Sequence, residues 1–168
     1  MKKTFIIANW KSNKTIEETE EWFHGFQKEF LELEPDLEDK EIIVSPPFTS
    51  IEHANYCVKN LKLTIKLAAQ NISPFDEGAY TGEINGRQIK EFADYVLVGH
   101  SERRTNFFED DNVLTRKLLM AKKYGLKPIF FVQNKTAFIP ENIPIIVYEP
   151  PSSISPGIPD TPENTNIV

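Results

Sequence analysis

Four groups of polar residues stand at the ends of short apolar runs: Asn9 with Lys11, Gln70 with Asn71, His100 through Arg104, and Glu149. A carboxylate, an imidazole and an ammonium gathered in one place can remove a proton next to a carbonyl and hold the charge that develops on its oxygen. Each residue alone has a plainer use. A histidine after a strand is commonly a hydrogen-bonded structural group, a glutamate there a helix cap or ion-pair partner, and a lone lysine a surface charge. What singles these residues out is their shared placement after the first, fourth and sixth runs. In parallel α/β folds, ligands and catalysis collect at the carboxyl ends of strands.

The runs themselves are Thr4–Ala8, Ile42–Val44, Leu63–Ala69, Tyr95–Val98, Ile129–Val132 and Ile145–Tyr148. They are short, mostly β-branched or aromatic, and lack polar alternation, which predicts strands buried on both faces. Helical patterns lie between them. Thr15 with Glu18 forms a capping box ahead of Trp22, Phe23, Phe26, Phe30 and Leu33 at helical spacing, with Glu17, Glu20, Glu21, Lys28 and Glu32 on a solvated face. Asp110–Tyr124 carries Val113, Leu114, Leu118, Leu119 and Met120 before Gly125, a helix with a C-terminal stop. Alternating strands and helices predict βα units on a parallel sheet. Only 12 residues, Gln133–Pro144, join the fifth and sixth runs, and Pro140 and Pro144 restrict any helix there to a turn or two. Pro162–Val168 reads as the first turn of a further helix, so the sequence is expected to be C-terminally truncated.

With 168 residues, 40% hydrophobic and 26% charged, the chain can bury the core of a single domain, taken to span residues 1–168. A net charge of −6 without a basic cluster argues against a nucleic-acid partner. The one cysteine, Cys57, cannot close an intramolecular disulfide. No run is long enough for a membrane span or a signal-peptide core, and a cytoplasmic protein is expected. His24 and His53 lack zinc-ligand spacing relative to Cys57, and no nucleotide-binding glycine loop occurs, so neither a metal nor a cofactor is expected.

Four segments resemble the triosephosphate isomerase family, in the order that family has them. Ala8-Asn9-Trp10-Lys11-Ser12-Asn13 resembles its N-terminal motif, and Ala69-Gln70-Asn71 with Gly78-Ala79-Tyr80-Thr81-Gly82-Glu83-Ile84 resembles its third loop. Val98-Gly99-His100-Ser101-Glu102-Arg103-Arg104 resembles the segment with its electrophilic histidine, and Tyr148-Glu149-Pro150 the start of its lid. The resemblance implies an incomplete (β/α)₈ barrel of about six units lacking strands 7 and 8, since complete barrels need about 200 residues or more. It implies interconversion of D-glyceraldehyde 3-phosphate and dihydroxyacetone phosphate through an enediolate. Glu149 would be the base, His100 the neutral electrophile at a helix N-terminus, Lys11 the counter-charge and Asn9 a hydrogen-bond donor. Ile154, Ser155 and Gly157 would meet the phosphate within a lid at Pro150–Gly157. Glu102 would support Lys11, or simply pair with Arg103 or Arg104, and Ser101 would support the same loop. The loop around Thr81 would enter a partner subunit in a homodimer or homotetramer.

Departures from the family pattern are also visible. Ser155-Pro156-Gly157 replaces a glycine-rich lid stretch, which stiffens the hinge and removes one N–H. Phe131-Val132-Gln133-Asn134 stands where a glutamate helps hold the lid. The short fifth crossover and Glu149-Pro150-Pro151 resemble the compact archaeal-type members. Without strands 7 and 8 the barrel would keep two open edges and lose part of its phosphate grip. Two rival readings are a catalytically inactive partial barrel acting as a scaffold or interaction protein, and a different phosphosugar enzyme on the same fold.

Overall fold

The computed structural model describes residues 3–150 except 34, 135 and 138. Six strands, β1 (Thr4–Asn9), β2 (Lys40–Ser45), β3 (Ile65–Ala69), β4 (Tyr95–Val98), β5 (Lys127–Val132) and β6 (Ile145–Tyr148), pair in chain order and all in parallel. The helices are α1 (Ile16–Leu33), α2 (Phe48–Asn60), α3 (Gly86–Lys90), α4 (Ser101–Asn106) and α5 (Asp111–Lys123). This is a partial (β/α) barrel with β1 and β6 at its edges, and each predicted run lies in or overlaps a strand.

Period-two alternation sorts the strand residues onto two faces. Val44, Leu67, Val96, Val98, Phe130 and Val132 pack outward against the helices, together with Phe23, Ile51 and Leu114. Ile43, Ala68, Leu97, Ile129, Phe131 and Ile145 pack on one another on the inner face. Both faces are apolar because a parallel barrel strand is covered on both sides. Phe23 is fully buried, and removing such a side chain costs about 3–5 kcal/mol. The edge strands are less protected: Ile6 is 49% exposed on β1 and Ile146 46% exposed on β6.

The capping box at the start of α1 is present. Thr15 Oγ1 accepts the Glu18 N–H at 3.3 Å, and Glu18 Oε2 accepts the Thr15 N–H at 2.7 Å. Two side chains depart from the predicted stripes. Leu33, at the last turn of α1, is exposed instead of packed. On α5, Leu119 is exposed while Lys117 is buried, because Lys117 falls on the same face as Leu114 and Ala121. Between β5 and β6 no helix forms among the described residues, within the limit of a turn or two set by the two prolines. Among the described residues no helix is long and apolar enough to cross a membrane.

Candidate active site

At the end of β1 the chain turns through Lys11, whose φ of 54° lies in the left-handed region. A non-glycine residue there costs about 1 kcal/mol or more, and local hydrogen bonds hold it. The Lys11 N–H donates to Asn9 Oδ1 at 3.0 Å, and its carbonyl accepts from Gln70 Nε2 at 2.8 Å. Gln70 also donates to the Ser45 carbonyl at 2.9 Å, so the ends of β1, β2 and β3 are tied together. From this turn the Lys11 ammonium reaches across the barrel mouth to Glu102 Oε1, at 2.6 Å.

The end of β4 is built differently. Gly99 has φ 78°, and a Cβ at that position would meet the Arg104 guanidinium at 3.2 Å and the Phe131 carbonyl at 3.3 Å. The φ favours glycine there, and a Cβ would crowd both neighbours. The next residue, His100, is the N-cap of α4; its Nδ1 accepts the Glu102 N–H at 3.2 Å. With Nδ1 acting as acceptor, a neutral ring carries its proton on Nε2. The imidazole is buried, tilted against the Phe131 ring at 4.9 Å between centroids.

His100 Nε2 faces Glu149, whose Oε1 lies 3.9 Å away. Glu149 follows β6, and its N–H continues the ladder by donating to the Val132 carbonyl at 2.8 Å. Its other carboxylate oxygen accepts from Ser101 Oγ at 2.8 Å. One oxygen of the carboxylate thus accepts from a serine hydroxyl while the other stands 3.9 Å from the imidazole Nε2.

The structure brings together Asn9, Lys11, His100, Ser101, Glu102 and Glu149 at the carboxyl end of the sheet. Thr81 is elsewhere, exposed in the β3–α3 loop, where Tyr80 stacks on Phe75 at 4.3 Å. Ile154, Ser155 and Gly157, with the lid beyond Pro150 and Pro162–Val168, lie outside the described residues. Glu102 pairs with Lys11, and neither arginine is its partner: Arg103 pairs with Glu109 at 2.5 Å and Arg104 with Asp111 at 3.1 Å. Among the described residues no group of three or more His, Cys, Asp or Glu side chains is placed to hold a metal ion.

Sequence reasoning missed a buried network beside the site. Glu109 accepts from both Arg103 and Lys117, and Lys117 also donates to Asn71 Oδ1 at 2.5 Å. Burial pushes the Lys117 ammonium below its ordinary value, against the pull of Glu109. The visible hint was a lysine on the apolar stripe of α5.

The triosephosphate isomerase family model matches residues 4–168. The triosephosphate isomerase of Thermodesulfovibrio yellowstonii is 36% identical over 186 residues, covering 97% of this chain and 73% of that protein. That of Dictyoglomus thermophilum is 46% identical over 136 residues, covering 80% of this chain and 52% of its own length. A crystal structure of triosephosphate isomerase from Bartonella henselae matches with a TM-score of 0.67 at 31% identity, covering 79% of this chain and 52% of the other. In the Dictyoglomus and Bartonella comparisons the matched chain spans about half the relative's length.

Proposed function

Because the chain belongs to the triosephosphate isomerase family, we propose that it carries the acid–base apparatus for interconverting D-glyceraldehyde 3-phosphate and dihydroxyacetone phosphate. The observation that carries this reading is the convergence of Lys11, His100 and Glu149 from β1, β4 and β6 on one patch of the barrel mouth.

The substrate carbonyl oxygen sits against His100 Nε2–H and the Lys11 ammonium, with the adjacent C–H facing Glu149. To reach that C–H, the Glu149 carboxylate leaves its hydrogen bond with Ser101. It takes the proton, and the C–H electron pair moves into a C=C bond while the carbonyl π pair goes to oxygen. The resulting enediolate is stabilised by the hydrogen bond from His100 and the charge of Lys11. Proton transfer between the two oxygens, and return of the proton from Glu149 to the neighbouring carbon, complete the isomerisation. No electrons leave the substrate, so the step needs no redox cofactor.

Asn9 buttresses Lys11 through its bond to the Lys11 N–H, and Glu102 keeps the ammonium extended toward the mouth. Ile154, Ser155 and Gly157 are assigned to the phosphate. The exposed Thr81 loop is assigned to a homodimer or homotetramer contact.

The test is isomerisation of glyceraldehyde 3-phosphate by this chain and by Glu149→Gln. General-base catalysis contributes about 10²–10⁴-fold, so the variant is expected to lose at least that much. Equal rates in the two proteins would overturn the assignment.

A further inference from the structure

His100 owes its position to the peptide that precedes it, and that peptide is held from one side chain. The β4–β5 ladder ends at Val98, so Gly99 lies beyond the sheet's pairing. The Gly99 carbonyl accepts from Arg104 Nε at 3.0 Å. The His100 carbonyl accepts the N–H groups of Arg103 at 2.9 Å and Arg104 at 3.1 Å. Arg104 is therefore bonded through its side chain to the peptide before the histidine and through its backbone to the peptide after it.

The guanidinium is itself anchored. Its Nη1 lies 3.1 Å from Asp111 Oδ1, in the first turn of α5, and its carbon sits 5.9 Å from the Phe130 ring centre. Beside it opens a polar groove of about 310 Å³ lined by Arg104, Asp111, Gln133, Asn134, Thr136 and Ala137. Asp111 is the carboxylate that fixes this arginine.

We propose that Arg104 is a positioning residue for His100: by holding the Gly99 carbonyl it fixes the rotation of the His100 peptide, and so the aim of Nε2 toward the substrate oxygen. The proposal rests on the reading of His100 as the electrophile. Without the Nε–carbonyl bond the Gly99 peptide is free to rotate, since glycine opposes rotation little. The imidazole then leaves the Glu102 N–H, and its Nε2–H turns from the site. A misplacement of about 1 Å at a reacting group can cost about 10²-fold. Lysine cannot substitute, because one ammonium does not reproduce the planar fork that meets a carbonyl and a carboxylate together.

The experiment compares Arg104→Gln, Arg104→Lys and Asp111→Asn with the parent chain, by kinetics and by ¹⁵N NMR of the His100 ring. Both Arg104 variants are expected to lose about 10²-fold in kcat with KM nearly unchanged. Their His100 Nδ1 and Nε2 resonances move from the single Nε2–H tautomer toward a mixture. Asp111→Asn leaves the Nε–Gly99 bond in place and changes a side chain that is 66% exposed. It is expected to show a smaller loss and a smaller shift, and it carries the test if an Arg104 variant does not fold. Unmoved imidazole resonances with parental kcat in folded variants would overturn the proposal, even if their melting temperature falls. The ring resonances decide the matter without turnover. A parent chain lacking isomerisation would count against the functional reading, and moved or unmoved resonances would still judge Arg104.

Discussion

Lys11 and Glu102, from the first and fourth βα units, meet across the barrel mouth with their charged atoms 2.6 Å apart, each side chain about 40% exposed. An ion pair so open to water contributes only about 0–1 kcal/mol to stability. Lys11 sits in a left-handed backbone conformation, held by the bonds of its N–H to Asn9 and its carbonyl to Gln70.

Lys11→Met is therefore expected to unfold within about 1 kcal/mol of the parent in urea, while isomerase activity falls by about 10²-fold or more. Glu102→Gln should leave stability equally unmoved and reduce activity less, since the ammonium remains but is no longer extended. Steady-state kinetics beside urea melts check both. A Lys11→Met variant with parental activity would remove Lys11 from the mechanism.

The Glu109–Lys117 pair should behave in the opposite way. Both side chains are at most 6% exposed; Arg103 also donates to Glu109 Oε1 and Asn71 accepts from Lys117, while Glu109 Oε2 is buried without a hydrogen-bond partner among the described residues. Lys117→Met takes one of two cations from a buried carboxylate; breaking a buried pair outright costs about 3–5 kcal/mol, and the Arg103 contact that remains keeps the expected loss below that. Glu109→Gln combined with Lys117→Met should recover part of that loss, because the buried carboxylate that had lost one of its two cations is gone. A double-mutant cycle in urea measures this; simple additivity of the two losses would contradict the pairing.

Acid sensitivity should trace partly to the inner face of β2. Burial pushes the Glu41 carboxyl up, but the hydrogen bonds from Lys3 and Tyr95 outweigh it and leave the group below its ordinary 4.5. The unfolded chain then binds this proton more readily than the folded one. The stabilisation is full above 4.5 and disappears as pH falls through the lower, folded value. Glu41→Gln is expected to be less stable than the parent near neutrality, and to lose less between about pH 7 and pH 3.5. Urea midpoints at the two pH values give the comparison, and parallel losses would show that Glu41 does not contribute.

The strands were readable in the sequence because a two-faced barrel strand leaves an apolar run that nothing else of that length resembles. Tyr95–Val98 and Ile145–Tyr148 match strand for strand, and the Thr15–Glu18 cap marks the start of α1. Helix α2 was not singled out. It starts after Pro47 with no side-chain cap, and of its buried Ser50, Ile51, Ala54 and Cys57 just one is a large apolar residue, with polar residues interleaved. The short helices α3 and α4 have too few turns to show a period, and α4 was visible only through its likeness to a known motif.

Legibility of the site follows the same division. Asn9, Lys11, His100 and Glu149 could be gathered because strand ends are one-dimensional features of a parallel sheet. Which acid each arginine meets could not be read, since Arg103 and Arg104 sit side by side in sequence. Only the turn of α4 sends one to Glu109 and the other to Asp111. The buried Lys117 hid among leucines for a related reason: a helix stripe records which side faces inward, not what a buried ammonium finds there.

The most direct measurement is hydrogen exchange on dihydroxyacetone phosphate in D₂O, followed by proton NMR with this chain and with Glu149→Gln. If Glu149 is the base and His100 the electrophile, the chain exchanges one of the two prochiral hydroxymethylene protons stereospecifically, and Glu149→Gln does not. Exchange at the buffer rate with the folded parent chain, or exchange undiminished in Glu149→Gln, would contradict the account.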